Sequence, residues 1–388
     1  MNHGAEAQTR ISPIDRVEIW LVSIPYRSEM RSSRGALRHG EKVMLRLGTR
    51  DGASGAGEAS VIFPGRSGES AGTIFVALRD LFAPALLGRS PLAFTAIMAD
   101  LRSRCSEEHA FLASLCAVDI ALHDLIARSC GVSVAGFLGG ARRNVMKLSR
   151  SLSIMPREQL VEAACRYAAE GYPLLTLKGS ADWRADITNY LAVREALPAG
   201  IGLEFDPNQA WTPKGALEVD RALAPAGLVC IEQPCAWWDI DGMRFVTERA
   251  MTPIAADESV LSPVDAMQVA RRSAADMITI KLAKSGGIRN SMIILEIARA
   301  AGLSCNMGSK HTFGVGTAAL LHFAAAFPEV GETVGYGDAR ERFVGDVIAE
   351  DLAISGGEAT LPSGTGLGVS LDPKRLATFA TQYQELRP

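Results

Sequence analysis

The sequence is poor in the features that mark out whole classes of protein. Its 388 residues carry 40 basic and 43 acidic side chains, a formal net charge of −3, so no positive excess argues for nucleic acid or an anionic membrane surface. No apolar run is long enough to span a bilayer; the Ala-rich stretch near Leu320 is short and carries His322. Met1 to Asp15 is polar and lacks the apolar centre of a secretory signal. The seven cysteines show no CxxC spacing, which indicates neither a zinc site nor a disulfide framework. Cys116, Cys165 and Cys230 have apolar neighbours and are expected as small core residues in a reducing cytoplasm. These absences predict a soluble cytoplasmic protein with no nucleic-acid partner and no membrane partner. What the chain does have is core: 48% hydrophobic residues against 21% charged, enough for one large domain and a smaller one.

The first third and the remainder are patterned differently. Val17 to Ile24 and Val43 to Leu47 read as strands joined by a basic connection with Arg27, Arg31, Arg34, Arg38 and His39; Asp51-Gly52 supplies a turn, and Gly55 to Ser60 resumes an extended segment. Ile74 to Leu87 and His109 to Ser129 carry apolar residues at helical spacing, so this part reads as an α+β unit closing near Leu138-Gly139-Gly140. After Arg142 the pattern becomes regular alternation. Extended runs at Lys147–Ile154, Leu174–Lys178, Gly202–Asp206, Leu228–Glu232, Pro253–Asp257, Met277–Lys281, Leu303–Met307 and Thr333–Asp338 are separated by amphipathic helices. One helix opens with Ser262-Pro263-Val264-Asp265, an N-cap, a first-turn proline and a capping-box acid. Strands at intervals of roughly 25 residues, each followed by a helix, predict a β/α barrel of about 250 residues. A doubly wound sheet would bring a glycine-rich phosphate loop after its first strand, and none is present; Gly364-Thr365-Gly366-Leu367-Gly368 lies near the C-terminus, outside any strand–helix context, and reads as a turn.

In such a barrel the reacting groups project from the C-terminal ends of the strands. Those ends present Lys178, Asp206, Glu232, Asp257 and Lys281 in succession: base, acid, acid, acid, base. Singly, each has a bland reading, the acids as helix caps and the lysines as side chains reaching to water. Together, three carboxylates on neighbouring strands repel one another in a low-dielectric mouth, and a bound cation relieves them. Oxygen donors favour Mg²⁺, with Mn²⁺ as the alternative, over zinc. Two lysines flanking that cation are placed to move a proton beside a substrate carboxylate, with their pKa values lowered by the nearby positive charge.

With those motifs in that order, the sequence resembles the enolase superfamily, specifically its muconate-lactonizing subgroup in the mandelate racemase/muconate lactonizing enzyme family. Sites of that superfamily pair a lysine base with Mg²⁺. The resemblance runs from Gly57-Glu58-Ala59 through Leu138-Gly139-Gly140 to Gly366-Leu367-Gly368-Val369. It implies a modified TIM barrel, (β/α)7β, of the α/β class, with an α+β capping domain at residues 1–140, the barrel at 141–360, and a C-terminal segment, 361–388, returning to the cap. It implies Asp206, Glu232 and Asp257 as metal ligands and Lys178 and Lys281 as the acid/base pair. Asn208 and Gln233 are implied as supports of the ligands, and Glu258 as a neighbour. A homo-oligomer, often an octamer, is implied as well. The family usually has a second lysine two residues before the base, where this chain has Thr176; Lys310 or His311 is then a candidate for the missing charge. Dipeptide epimerases of the family carry Asp-x-Asp at the eighth strand, whereas this chain reads Tyr336-Gly337-Asp338, a single acid. Lys284 is expected outside the site.

Three functions follow. The first is an intramolecular lyase reaction such as muconate cycloisomerisation. The second is racemisation or epimerisation of an amino-acid derivative, with hydroxy-acid dehydration in the same mechanistic set. The third is a metal-dependent carboxylate-binding protein without turnover. A small carboxylate is the expected partner, and the many arginines of the capping segment favour a dianionic one.

Overall fold

The computed structural model describes residues 11–32, 35–63, 66–335 and 339–388. Two sheets organise the chain. The smaller is antiparallel, in the order β14 (Ala380–Leu386), β1 (Ile14–Ser32), β2 (Gly35–Thr49), β3 (Ser54–Ser60). The C-terminal strand therefore returns to pair with the first one, Val17 opposite Leu386. The larger sheet holds eight parallel strands: β4 (Val145–Leu152), β5 (Leu174–Lys178), β6 (Gly202–Asp206), β7 (Leu228–Glu232), β8 (Ile254–Ala256), β9 (Met277–Ile280), β10 (Ser304–Met307) and β11 (Thr333–Gly335). β11 pairs with β4 and closes the barrel. A short hairpin, β12 (Ile354–Ser355) and β13 (Glu358–Thr360), is added outside β4. The helix that directly follows β11 is a single four-residue turn, Ala339–Arg342, so the barrel is seven strand–helix units and a final strand.

Period-two alternation sorts each short strand into a packed face and a chemical face. In β5, Leu175 and Leu177 are buried against the outer helices, while Thr176 and Lys178 face the barrel axis. In β6, Leu203 and Phe205 play the packing part, and Glu204 and Asp206 face inward. The strands pair in register, Lys178 with Asp206 and Thr176 with Glu204, so each inward pair lies side by side.

The structure departs from the sequence reading in the cap. The basic segment between the first two strands is not a loop: β1 and β2 run on as one long hairpin, with Met30 opposite Leu37 and Ser32 opposite Gly35. The cap's central helix is Leu112–Ser129, and β3 lies so close to it that a Cβ on Gly57 would come within 1.9 Å of the Ala117 carbonyl oxygen. The helix expected at Ile74 to Leu87 runs from Ala71 to Leu86, with a π turn at Leu78–Phe82. The predicted capping box at Ser262 and Asp265 is present. Neither Asp206 nor Asp257 caps a helix: the helices that follow them begin behind Thr212 and Ser262.

Buried carboxylates tie cap to barrel. Glu58, on β3, accepts the backbone N–H groups of Phe313 (2.8 Å) and Gly316 (2.7 Å) at the start of barrel helix Gly314–Ala326. Asp119 accepts Ile288 N–H at 2.6 Å, while Asp124 works within the cap and the returning C-terminal segment, accepting Ala56 N–H at 2.8 Å and Leu367 N–H at 2.7 Å. No single helix among the described residues is long and apolar enough to cross a membrane. All seven cysteines are free; Cys116 and Cys230 are buried and Cys165 is half-buried.

His322 gives the fold a pH dependence. It is buried in helix Gly314–Ala326, and its Nδ1 accepts the Ala135 N–H at 3.2 Å. Burial pushes its pKa down from 6.5 to about 4. The unfolded chain takes up this proton first as pH falls below about 6.5, so the stability from the neutral ring is complete above that value and is lost on acidification toward about 4. The loss is expected to be about 3 kcal/mol. Thermal denaturation across that range should show it, and His322→Gln, which keeps an acceptor, should flatten the slope.

Candidate active site

One cavity of about 270 Å³ opens at the C-terminal ends of the barrel strands and runs down between them. Lys178, Asp206, Glu232, Asp257 and Lys281 all line it, as do Thr176, Asn208, Glu258, Lys310 and His311. Met30, Ile62 and Phe63 of the cap form its apolar roof. Five strand ends thus deliver two ammonium groups and three carboxylates to one place, all in buried surroundings.

Mutual charge compensation governs the arrangement. Lys178 Nζ donates to Asp206 Oδ2. Lys281 Nζ bridges two acids, donating to Glu232 Oε1 at 3.0 Å and Asp257 Oδ2 at 2.6 Å. Lys284 does not line the cavity, yet its buried Nζ touches a residue that does: it donates to the Asp257 backbone oxygen at 2.5 Å and lies 2.7 Å from Asp257 Oδ1. Its helix turn, Leu282–Ser285, starts directly from the end of β9 and folds the side chain back toward β8, a path that spacing along a strand does not convey.

Burial alone would lower the lysine pKa values, but the carboxylates outweigh it. Lys178 is raised by Asp206 and Glu232, and Lys281 is held well above the ordinary lysine value by Asp257 and Glu232. The protein's own charges therefore work in the direction opposite to that expected from a neighbouring cation. Burial and the adjacent acids push Glu232 up to about 8, while Asp257, facing three lysines, is held well below the carboxylate range despite its burial.

The donor set suits a hard divalent cation. Asp206, Glu232 and Asp257, from the ends of adjacent strands, line one cavity and offer oxygen donors. Asp257 Oδ1 is buried and accepts no hydrogen bond, although Lys284 faces it. Among the described residues no three acidic, histidine or cysteine side chains converge as they stand; the Lys281 ammonium sits between Glu232 and Asp257. Residues that could hold Mg²⁺ are therefore Asp206, Glu232 and Asp257, after Lys281 swings aside.

The supporting residues carry backbone strain. Asn208 and Gln233 have positive φ, 47° and 42°, in the left-handed region that non-glycine residues rarely enter. That conformation turns Asn208 back on Asp206, its N–H meeting Oδ1 at 2.9 Å and its Nδ2 meeting Oδ2 at 3.0 Å. Gln233 Oε1 accepts the backbone N–H groups of Asp257 (2.9 Å) and Ser259 (3.0 Å), and Nε2 donates to Ser259 Oγ at 2.8 Å. Each support thus positions one or more acid-bearing segments. Glu258 faces Asn208 at 3.4 Å, and burial followed by Asp257 and Asp206 raises its pKa.

Thr176 donates to Glu204 Oε1, one layer below Lys178 and Asp206. Glu204 escaped the sequence reading because it lies two residues inside the strand end; alternation with Asp206 was the available signal. Lys310, half-buried, lies near Asp257 and Lys281, and desolvation pushes its pKa down to about 8. The His311 pKa is held well below the ordinary histidine value by burial and by the surrounding cations, Arg342 first among them. Asp338, with Tyr336 and Gly337, lies outside the described residues.

Comparison with known proteins agrees with this geometry. Residues 16–139 match the family described as Mandelate racemase / muconate lactonizing enzyme, N-terminal domain, and residues 159–375 match Enolase C-terminal domain-like. The chain belongs to the mandelate racemase/muconate lactonizing enzyme family of the enolase superfamily. It is 31% identical over 369 residues to muconate cycloisomerase 1 of Rhodococcus opacus, covering 94% of this chain and 97% of that one. It is 32% identical over 359 residues to the L-Ala-D/L-Glu epimerase of Bacillus subtilis (strain 168), covering 92% and 96%. The crystal structure of 2-chloromuconate cycloisomerase from Rhodococcus opacus 1CP superposes with a TM-score of 0.91 at 27% identity, over 96% of this chain and all of that one. The chain is thus an enzyme of an isomerase family whose members bind Mg²⁺.

The Gln233 network should be measurable by itself. Gln233→Leu preserves size but strips the acceptor from two buried N–H groups, and a loss of about 2–4 kcal/mol is expected in denaturant unfolding. An unchanged midpoint would contradict its structural role.

Proposed function

We propose that this enzyme removes the proton α to the carboxylate of a small substrate, with Lys178 and Lys281 as the acid/base pair and Asp206, Glu232 and Asp257 as Mg²⁺ ligands. The observation that carries the reading is the convergence of these five side chains on one cavity, lysines on the outer strands and acids between them. A bound Mg²⁺ would supply the positive charge that stabilises the dianionic enediolate as the proton leaves.

The chain's own groups account for the rest. A lysine acts as a base only when neutral, and here the carboxylates keep both lysines protonated. Engaging Asp206, Glu232 and Asp257 elsewhere removes what raises the lysine pKa values and frees Lys281 from its two partners. Lys310 and Lys284 then act as further positive neighbours that favour a neutral amine. The cap's Met30, Ile62 and Phe63 roof the cavity and exclude water from it.

Two outcomes of that proton transfer fit. Cycloisomerisation of a muconate uses the transfer in the opposite sense: one carboxylate adds to the alkene, and one lysine delivers a proton to the α-carbon of the resulting enediolate. Epimerisation of an amino-acid derivative needs one on each face, and the presence of both lysines in the lining of the same cavity supports it equally. Incubation of candidate carboxylates with enzyme and Mg²⁺ in heavy water separates them: deuterium at the α-carbon with inversion marks an epimerase, and loss of the starting alkene marks a cycloisomerase. Lys178→Ala and Lys281→Ala are each expected to fold and bind Mg²⁺. In an epimerase both should lose exchange by about 10²–10⁴-fold; in a cycloisomerase at least one should. Full activity in both variants would remove the acid/base assignment. Asp206→Asn should weaken Mg²⁺ binding more than about tenfold by calorimetry, and an unchanged affinity would remove its ligand role.

A further inference from the structure

One cap side chain reaches across the seam into the loop that carries Asp257. Arg66 is largely buried, and its guanidinium lies 4.1 Å from the ring centre of Trp237, in the loop after β7. Its Nη2 donates to Asp265 Oδ1 at 3.1 Å, and its Nη1 lies 3.4 Å from Asp265 Oδ2, a two-pronged grip that a planar guanidinium provides. Nη1 also reaches the carbonyl oxygens of Glu258 at 3.4 Å and Ser259 at 3.3 Å, the two residues that follow Asp257. Arg66 does not line the catalytic cavity, so its influence there passes through this loop.

Asp265 is the joint through which the grip acts. It stands in the first turn of helix Pro263–Arg272 and closes the capping box with Ser262. Its Oδ2 accepts the backbone N–H groups of Leu261 (2.9 Å) and Ser262 (3.1 Å) and lies 2.9 Å from His109 Nε2 of the cap. Burial raises the Asp265 pKa, but the His109 contact, the Leu261 N–H and the Arg66 charge together bring it down to about 2. The carboxylate is therefore ionised and only accepts, so His109 Nε2 carries the hydrogen between them.

The same loop is held from inside the barrel. Gln233 Oε1 takes the N–H groups of Asp257 and Ser259. Ser259 Oγ, which accepts from Gln233 Nε2 at 2.8 Å, donates to the Trp237 backbone oxygen at 3.1 Å. Trp237 N–H in turn donates to Gln209 Oε1 at 3.0 Å. Residues 257–262 are thus gripped twice, by Gln233 from the barrel and by Arg66 with Asp265 from the cap, and Trp237 touches both grips. The cap's grip is lost whenever the cap leaves its seat.

We infer that Arg66 is a positioning residue for the metal centre: it seats the cap on the loop after β8, and that seat holds Asp257 in the orientation a cation needs. The inference rests on the proposed function only for Asp257 as a ligand. It adds that part of the metal site is built by the other domain. Linkage then makes the effect mutual: if the seated cap tightens cation binding, a bound cation tightens the seat by the same factor. Ile62 and Phe63, which roof the cavity, come shortly before Arg66 in the chain, so one anchor serves both roof and ligand.

The test uses the intact chain and needs no substrate. In the metal-free protein, amide hydrogen exchange at Ser259, Leu261 and Ser262 should rise about tenfold or more in Arg66→Met, while β5 and β6 stay as in wild type. Calorimetry should show Mg²⁺ bound about tenfold more weakly by the folded variant, the order of effect expected for groups that orient metal ligands. Arg66→Lys, which keeps the charge but not the fork, should recover part of that affinity. A folded Arg66→Met with wild-type Mg²⁺ affinity would leave Arg66 as a seam contact and overturn the inference, as would unchanged exchange at the three amides. If Arg66→Met does not fold, Arg66→Lys decides: partial loss of affinity supports the grip, and full affinity overturns it. Asp206→Asn reports on the metal centre independently. Weakened Mg²⁺ binding there with none in the Arg66 variants sinks the positioning role alone, whereas unchanged binding in Asp206→Asn sinks the ligand assignment itself.

Discussion

Asp206, Glu232 and Asp257 are buried on three adjacent strands, and carboxylates so placed cannot stay ionised without opposite charge beside them. That electrostatic demand shapes everything around the cavity. It draws Lys178 onto Asp206, stretches Lys281 between Glu232 and Asp257, and folds Lys284 back from the following helix turn. The strained backbone at Asn208 and Gln233 serves it too: the left-handed turn brings Asn208 onto the Asp206 carboxylate and accompanies the hold of Gln233 on the backbone N–H of Asp257. The same carboxylates that demand lysines also hold those lysines protonated, so the resting charge balance is stable and poised rather than reactive.

The second organising feature is the seam between cap and barrel. Acidic side chains bridge it: Glu58 at the start of helix Gly314–Ala326, Asp119 at Ile288, and Asp265 against Arg66 (3.1 Å) and His109 (2.9 Å) of the cap. Arg66 also lies over the Trp237 ring at 4.1 Å. Because Ile62 and Phe63 belong to the segment that Arg66 closes, this clamp sets the roof of the cavity. The barrel contributes the reacting groups and the cap the walls that select what meets them. Arg342 belongs to both, since its segment leaves the barrel and pairs with the cap's first strand.

Several barrel strands were legible to the residue: Leu174–Lys178, Gly202–Asp206 and Leu228–Glu232 are found as the alternation of apolar and inward residues predicts. The strand ends were legible too, because charged residues there interrupt otherwise apolar runs. The cap was less so. Its basic segment, rich in arginine, has no alternation that distinguishes a loop from an exposed hairpin, and pairing partners such as Met30 and Leu37 are set by register across the hairpin rather than by local pattern. Glu204 and the contact of Lys284 with Asp257 were missed for a shared reason. Glu204 lines the cavity one layer below the strand ends, and Lys284 meets Asp257 through the turn after β9, so both depend on barrel curvature and on how the next turn folds.

By itself the sequence determined the alternating strands and helices, the order of acids and lysines around the mouth, and the capping box at Ser262, since all three are written in residue type and spacing. Only the tertiary structure decided which lysine answers which carboxylate, that His311 lies between Tyr26 and Arg342, and that burial and nearby cations pull the His311 and Lys310 pKa values down. The physical reason is that charge state and partner choice depend on distance and burial. Those are properties of side chains far apart in the chain, such as Tyr26 and Arg342, and no local pattern encodes where they meet.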